Sequence, residues 1–164
     1  MKVILLGNAG AGKSSLARHL IGDRAVGRLS LDEVAFQEGA ERRPLDDSVA
    51  AARQFVARHS DWIIEGCYAD IIEPLLPDCD MLIFLNPGVA TCVEHCRRRP
   101  WEPEKFSSPE QQDANLANLI AWVKTYSSRD DEYGLQRHRA LFNGFNGRKL
   151  ELTDPRQYLT AVVS

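Results

Sequence analysis

Five short apolar runs, separated by longer amphipathic stretches, set the rhythm of this chain. Val3-Ile4-Leu5-Leu6, Arg28-Leu29-Ser30-Leu31, Trp62-Ile63-Ile64, Met81-Leu82-Ile83-Phe84-Leu85 and Lys149-Leu150-Glu151-Leu152 read as strands. The first, over residues 2–6, and the fourth do not alternate polar with apolar. Unbroken apolarity predicts burial on both faces, as in a parallel sheet covered by helices.

The intervening stretches carry helical spacing. Leu16-Ala17-Arg18-His19-Leu20-Ile21 is short and amphipathic, and Gly22 is placed to stop it. Asp46 to His59 puts Val49, Ala52, Phe55, Val56 and His59 on one side, with Asp46, Asp47 and Ser48 in the first turn. A helical turn over 70–76 is closed by Pro77. A helix from Val89 to Arg99 stops before Pro100. Further on, Leu116, Leu119, Ile120, Val123 and Tyr126 form one helical stripe. Leu135, His138, Leu141 and Phe142 form another, read as a helix from Asp130 to Phe142. A last helix spans Pro155 to Val163. Residues 33–45 read as irregular, with Gly39 and Pro44 as breakers. Residues 100–109, with Pro100, Pro103, Pro109 and the aromatics Trp101 and Phe106, read as an excursion from the core.

Strands alternating with helices imply a parallel sheet with right-handed crossovers, helices lying on both faces. The expectation is one α/β domain over residues 1–164, with an acceptor-side segment at about 33–61 and a lid-like insertion at about 100–128.

The chemistry is concentrated in the turn after the first strand, Gly7-Asn8-Ala9-Gly10-Ala11-Gly12-Lys13-Ser14, followed by Ser15. Strand, glycine-rich loop and helix is the setting of a phosphate-binding loop, or Walker A motif. Glycines let successive backbone N–H groups converge on an anion, and the helix start adds its unpaired N–H groups. Lys13 is then placed for the β- and γ-phosphates and Ser14 for Mg²⁺. The cofactors expected are ATP and Mg²⁺.

In a parallel sheet ligands gather at the carboxyl ends of the strands, which singles out Asp32, Glu65 and Asn86. Asp32 is read as the group that prepares the acceptor hydroxyl or acidic oxygen, or that holds a water on Mg²⁺. Glu65 is read as a second holder of Mg²⁺, directly or through water. Gly66 and Tyr68 follow it on the acceptor side, as do Arg42 and Arg43, of which Arg43 is taken as the substrate contact. Arg97, Arg98 and Arg99 precede the excursion and Arg129 follows it. Arg129 and one of Arg97, Arg98 or Arg99, with Arg98 the choice, are assigned to the transferring phosphoryl group.

Other features narrow the class. A net charge of −3 over 164 residues gives no case for broad nucleic-acid binding. No stretch is long enough to span a membrane, and the expected compartment is the cytoplasm. Cys67, Cys79, Cys92 and Cys96 form no CxxC pair; Cys92, His95 and Cys96 share a helix but lack the other half of a metal site. They read as structural thiols. There is no Asn-Lys-x-Asp segment to read guanine. Two functions stay open: a kinase acting on a small-molecule acceptor, and a nucleotide-binding regulator with little phosphotransfer. Both leave monomer or homodimer open.

These residues resemble the small P-loop kinases related to adenylate and shikimate kinases, and most of all the bacterial adenylate-kinase-related proteins labelled DNA topology-modulation proteins. The likeness is carried by Gly7–Ser14, Leu31-Asp32, Trp62 to Tyr68, Ile83-Phe84-Leu85 and Arg129-Asp130-Asp131. It implies a three-layer α/β/α P-loop NTPase with sheet order 2-3-1-4-5, ATP with Mg²⁺, and a closing lid. Two departures stand out. Cys67-Tyr68 occupy the place where adenylate kinases carry Pro-Arg, and no cysteine cluster lies within 100–128.

Overall fold

The computed structural model describes residues 1–38, 41–104 and 106–161. Gly39, Lys105 in the excursion, and Val162 and Val163 at the end of the expected last helix lie outside them. Five strands form one all-parallel sheet in the order β2-β3-β1-β4-β5. They are β1 (Lys2–Gly7), β2 (Gly27–Ser30), β3 (Trp62–Gly66), β4 (Met81–Leu85) and β5 (Arg148–Leu152). The expected order and layering are both present.

Two-sided burial explains the lack of alternation. Ile4, Leu6, Trp62, Ile64, Leu82 and Phe84 belong to one core cluster. Their neighbours Val3, Leu5, Ile63, Ile83 and Leu85 belong to the other. Successive side chains of a strand point to opposite faces, so a strand apolar at every position must be covered twice. Each such side chain taken fully out of water contributes about 1.5–3 kcal/mol.

The first face is covered by α3 (Leu45–Arg58), α4 (Ala69–Ile72) and α7 (Leu135–Gly144). The second carries α1 (Lys13–Ile21), α5 (Val89–Arg97), α6 (Pro109–Val123) and the short α8 (Tyr158–Ala161). Ser108 caps α6, its hydroxyl accepting from the Gln111 N–H at 3.1 Å. Within the expected lid-like segment, Leu116, Leu119, Ile120 and Trp122 pack partly buried against the second cluster. Trp101 stays 41% exposed.

Two stretches differ from the sequence reading. Residues 33–45 are not wholly irregular: α2 (Asp32–Ala35) makes one helical turn, and Phe36 bridges antiparallel to Arg42. Helix α7 starts five residues later than expected. Asp131 takes hydrogen bonds from the Arg129 side chain and the Tyr133 N–H, holding 131–133 in a turn. Gly134 then packs so close to the Arg129 carbonyl that a Cβ would lie 2.5 Å from it. Side-chain bonding of this kind competes with the helix, and periodicity does not register it.

The start of α7 is tied to the sheet by a buried histidine. His138 has no exposed surface. Its Nε2 faces the carbonyls of Cys67 at 2.9 Å and Glu132 at 3.1 Å, so this nitrogen carries the proton. Nδ1 accepts from the Tyr126 hydroxyl at 2.8 Å. Burial lowers the His138 pKa to about 4. Its unfolded value is near 6.5, so its contribution is complete above pH 6.5 and is lost as pH falls through 4. The loss expected from this group is about 3 kcal/mol. Urea unfolding of the wild type and His138→Gln at pH 7 and pH 4.5 tests this. The wild type should lose more stability between the two pH values by roughly 2–3 kcal/mol; equal losses would refute the assignment.

Candidate functional site

The phosphate loop joins β1 to α1 at the carboxyl edge of the sheet, between the ends of β3 and β4. Gly10 and Gly12 have φ of 82° and 101°, the left-handed region that side chains resist. Gly12 stands at the start of α1, whose Leu16 N–H bonds back to the Gly12 carbonyl at 3.0 Å. A Cβ on Gly10 would lie 2.4 Å from the Cys92 carbonyl oxygen of α5. Gly10→Ala should therefore destabilise the fold by at least about 2 kcal/mol and deform the loop. Chemical denaturation, with Mg·ATP titration of whatever remains folded, is the check.

Two side chains from distant parts of the chain hold the loop from outside. His95 of α5 donates from Nδ1 to the Gly10 carbonyl at 2.6 Å. Tyr158 of α8 donates to the Ala11 carbonyl at 3.0 Å, and its ring lies against Gly12. Both carbonyls are thereby held by side chains outside the loop, and the Ala11 N–H closes the turn onto the Asn8 carbonyl at 3.1 Å. His95 was legible only as a potential metal ligand. Tyr158 lies 147 residues from its partner and carried no local signal.

Lys13 turns back on its own loop, Nζ donating to the carbonyls of Gly7 at 3.0 Å and Asn8 at 2.7 Å. Asn8 is buried, its side-chain amide donating to the Val123 carbonyl at 3.3 Å. Ala9 and Ala11 pack into the second core cluster, and the Ser15 hydroxyl accepts from Arg18 at 3.3 Å. Ser14 Oγ lies 3.0 Å from each carboxylate oxygen of Glu65. Glu65 is buried at 4% exposure, with Arg28 3.6 Å away on β2. One hydroxyl and one carboxylate at the mouth of the loop make a hard, all-oxygen donor pair of the kind that suits Mg²⁺.

Asp32 is exposed at the end of β2 and accepts a hydrogen bond from the Tyr68 hydroxyl. Tyr68 is buried, packed edge-on against Phe36 and Tyr133 with the Arg42 guanidinium over its ring. Burial, with Cys67 and Asp32 nearby, holds its phenol protonated far above the ordinary range. Tyr68 therefore presents a hydroxyl to the site rather than a free ring face. The space beside Gly66 is taken by Leu31, whose Cβ would lie 2.8 Å from an added methyl. Glycine there lets the ends of β2 and β3 close together.

The arginines are distributed unevenly. Arg42, rather than Arg43, turns inward: it donates to the Tyr133 hydroxyl and to Asp70 at 3.1 Å, and lies over both tyrosine rings. Burial alone would lower its pKa, but Tyr133 and Asp70 outweigh that and hold it raised. Arg43 is half-buried, its backbone N–H bound to Ala35. Arg129 lies over Trp122 and Tyr133, forked onto Asp131. Arg98 is largely exposed and pairs with Glu94 at 3.0 Å. Arg97 and Arg99 are also exposed. Asn86 is committed to Glu151 at 3.2 Å, beside the fork from Arg139 to the same carboxylate. Asp70, Trp122 and Tyr133 were not singled out in the sequence, because nothing local distinguishes them from ordinary helix and turn residues.

All four cysteines are free thiols. Burial pushes Cys67 and Cys92 up to about 11, the behaviour of packed rather than reactive thiols. Among the described residues no group of His, Cys, Asp and Glu could hold a metal ion by those side chains alone. None of the described helices is long and apolar enough to cross a membrane.

Comparison with known proteins places this architecture. Shikimate kinase from Acinetobacter baumannii, solved in complex with shikimate, aligns with a TM-score of 0.55 at 16% sequence identity, over 96% of this chain and 86% of that one. Deoxyadenosine kinase from M. mycoides, solved with bound dATP, aligns with a TM-score of 0.53 at 12% identity, over 97% of this chain and 95% of that one. At these identities the likeness is one of fold, and the fold is that of the P-loop kinases. No protein-family model matches the chain, and no curated protein matches it.

Proposed function

We propose that this chain is an ATP-dependent phosphotransferase acting on a small-molecule hydroxyl. The observation that carries the reading is the convergence of three features at one mouth. They are the glycine loop with Lys13, the Ser14–Glu65 oxygen pair at 3.0 Å, and Asp32, next to Leu31, whose N–H bonds the Glu65 carbonyl at 2.9 Å. Loop N–H groups and Lys13 would bind the triphosphate, Lys13 leaving its two loop carbonyls to do so. Ser14 and Glu65 would hold Mg²⁺, whose contribution when bound is to offset phosphate charge.

Asp32 accepts the proton of the acceptor hydroxyl, and the Tyr68 hydroxyl fixes its orientation. Arg98 and Arg129 are assigned to the transferring group in a closed conformation. Each is held by a carboxylate here, Arg98 by the exposed Glu94 and Arg129 by Asp131. Exposed pairs are worth ~1 kcal/mol or less, so Arg98 can exchange Glu94 for phosphate at little cost. The finer kinship, with the bacterial adenylate-kinase-related proteins, rests on the sequence motifs from Gly7 to Asp131.

Mg·ATP titration followed by a coupled assay for acceptor-dependent ADP release tests the reading. Nucleotide binding with ADP release stimulated by a hydroxyl acceptor is expected. Binding without any stimulated release is the behaviour of a nucleotide-binding regulator and would replace this proposal.

A further inference from the structure

The charge arrangement beside Asp32 bears on which hydroxyl compounds the site takes. Arg42 is the guanidinium that turns into the acceptor side, and an arginine in that place is the natural receptor for a phosphate or carboxylate. Here it is already committed. Its Nη2 donates to Asp70 Oδ2 at 3.1 Å, another of its nitrogens donates to the Tyr133 hydroxyl, and two tyrosine rings flank its plane. Arg42 Nε and Asp70 Oδ1 are buried without other partners. They are the complementary donor and acceptor that would complete a two-bond fork between the same two side chains. An anion on Arg42 would compete with Asp70 for the same guanidinium, and Asp70 has one buried oxygen and no other counter-charge among the described residues. That distinguishes it from Arg98, whose partner is solvated.

Three of the neighbouring charged groups do not favour an anion either. Asp32 is exposed, and its hydrogen-bond partner among the described residues is the Tyr68 hydroxyl. Arg28 is balanced by Glu65 and Arg129 by Asp131. Phe36, an exposed ring, and Tyr68 stand beside Asp32.

We infer that the acceptor is an uncharged hydroxyl compound, recognised by the Asp32 carboxylate beside the exposed Phe36 ring, and not a phosphorylated or carboxylated one. The inference rests on the phosphotransfer reading above. Arg42 is then a positioning residue: its pairing with Asp70 and Tyr133 holds Tyr68 against Asp32.

The experiment is a set of matched acceptors assayed with Mg·ATP: nucleosides against their 5′-monophosphates, and cyclic polyols against the corresponding carboxylic acids. The neutral member of a pair should show a kcat/KM at least about tenfold higher, since an unpaired anion meets like charge at Asp32. Asp70→Asn, which frees Arg42 while keeping the side-chain shape, should narrow or reverse that preference by raising kcat/KM for the anionic member. Preference of the wild type for the anionic members overturns the inference and leaves the phosphotransfer reading intact. If Arg43→Ala then abolishes that preference, Arg43 is the anion receptor. No turnover of any member, with Mg·ATP bound, overturns the reading and the inference together.

Discussion

Lys13→Ala is expected to weaken Mg·ATP binding by about 10²–10³-fold, the usual consequence of removing a preorganised cationic donor from a phosphate site. Isothermal titration of the wild type and variant measures it. The two bonds from Nζ to the Gly7 and Asn8 carbonyls complicate the readout, because the ammonium also braces the loop itself. Those bonds are part-buried and charge-assisted, so the variant should lose about 1–3 kcal/mol of stability without nucleotide. The decisive contrast is the shift in melting temperature caused by saturating Mg·ATP. A ligand that binds only the folded state raises apparent stability in proportion to the logarithm of one plus the ratio of its concentration to Kd. The wild type should show that shift and Lys13→Ala should not. Unchanged affinity would remove Lys13 from the phosphate site and leave it a structural brace.

Asp32→Asn should lower kcat by about 10²–10⁴-fold while leaving Mg·ATP affinity nearly unchanged, as expected when a general base is lost. The substitution is well suited to the geometry, because an amide oxygen still accepts the Tyr68 hydroxyl bond. Fold and ring positions are therefore retained and only proton acceptance is lost. Tyr68→Phe is the companion. It keeps the packing against Phe36 and Tyr133 but releases the carboxylate, so its effect on kcat should be smaller than that of Asp32→Asn. Steady-state kinetics with one neutral acceptor compares all three proteins. A kcat for Asp32→Asn within a few-fold of wild type would place the acceptor hydroxyl elsewhere.

Much of the framework was legible before any coordinates. The strands announced themselves because a buried parallel strand must be apolar at every position. Met81–Leu85 shows this, its residues 82–85 all fully buried. The phosphate loop was legible because its glycines answer a local backbone requirement, met here by Gly10 and Gly12. Element ends were less so. The turn over 131–133 ahead of α7 depends on Asp131 holding Arg129 and Tyr133, a side-chain event without periodicity.

Within the site, sequence marked the pair Arg42-Arg43, and the fold commits Arg42 to Asp70 and Tyr133. That Arg42 packs against these partners is set by its bridge to Phe36 and by the tyrosines that receive it. Tyr68 was legible as an aromatic near substrate; that its hydroxyl, not its face, is presented follows from the rings packed around it.

The chain alone determined the layered α/β order and the location of the phosphate loop, since both follow from residue types within a few positions of one another. Tertiary structure alone decided how that loop is held and what charge the neighbouring site offers. His95 and Tyr158 reach the loop carbonyls across 85 and 147 residues, and Arg42 meets Asp70 across 28 and Tyr133 across 91. Contacts of that span are set by which helices share a face of the sheet, and no local pattern encodes them.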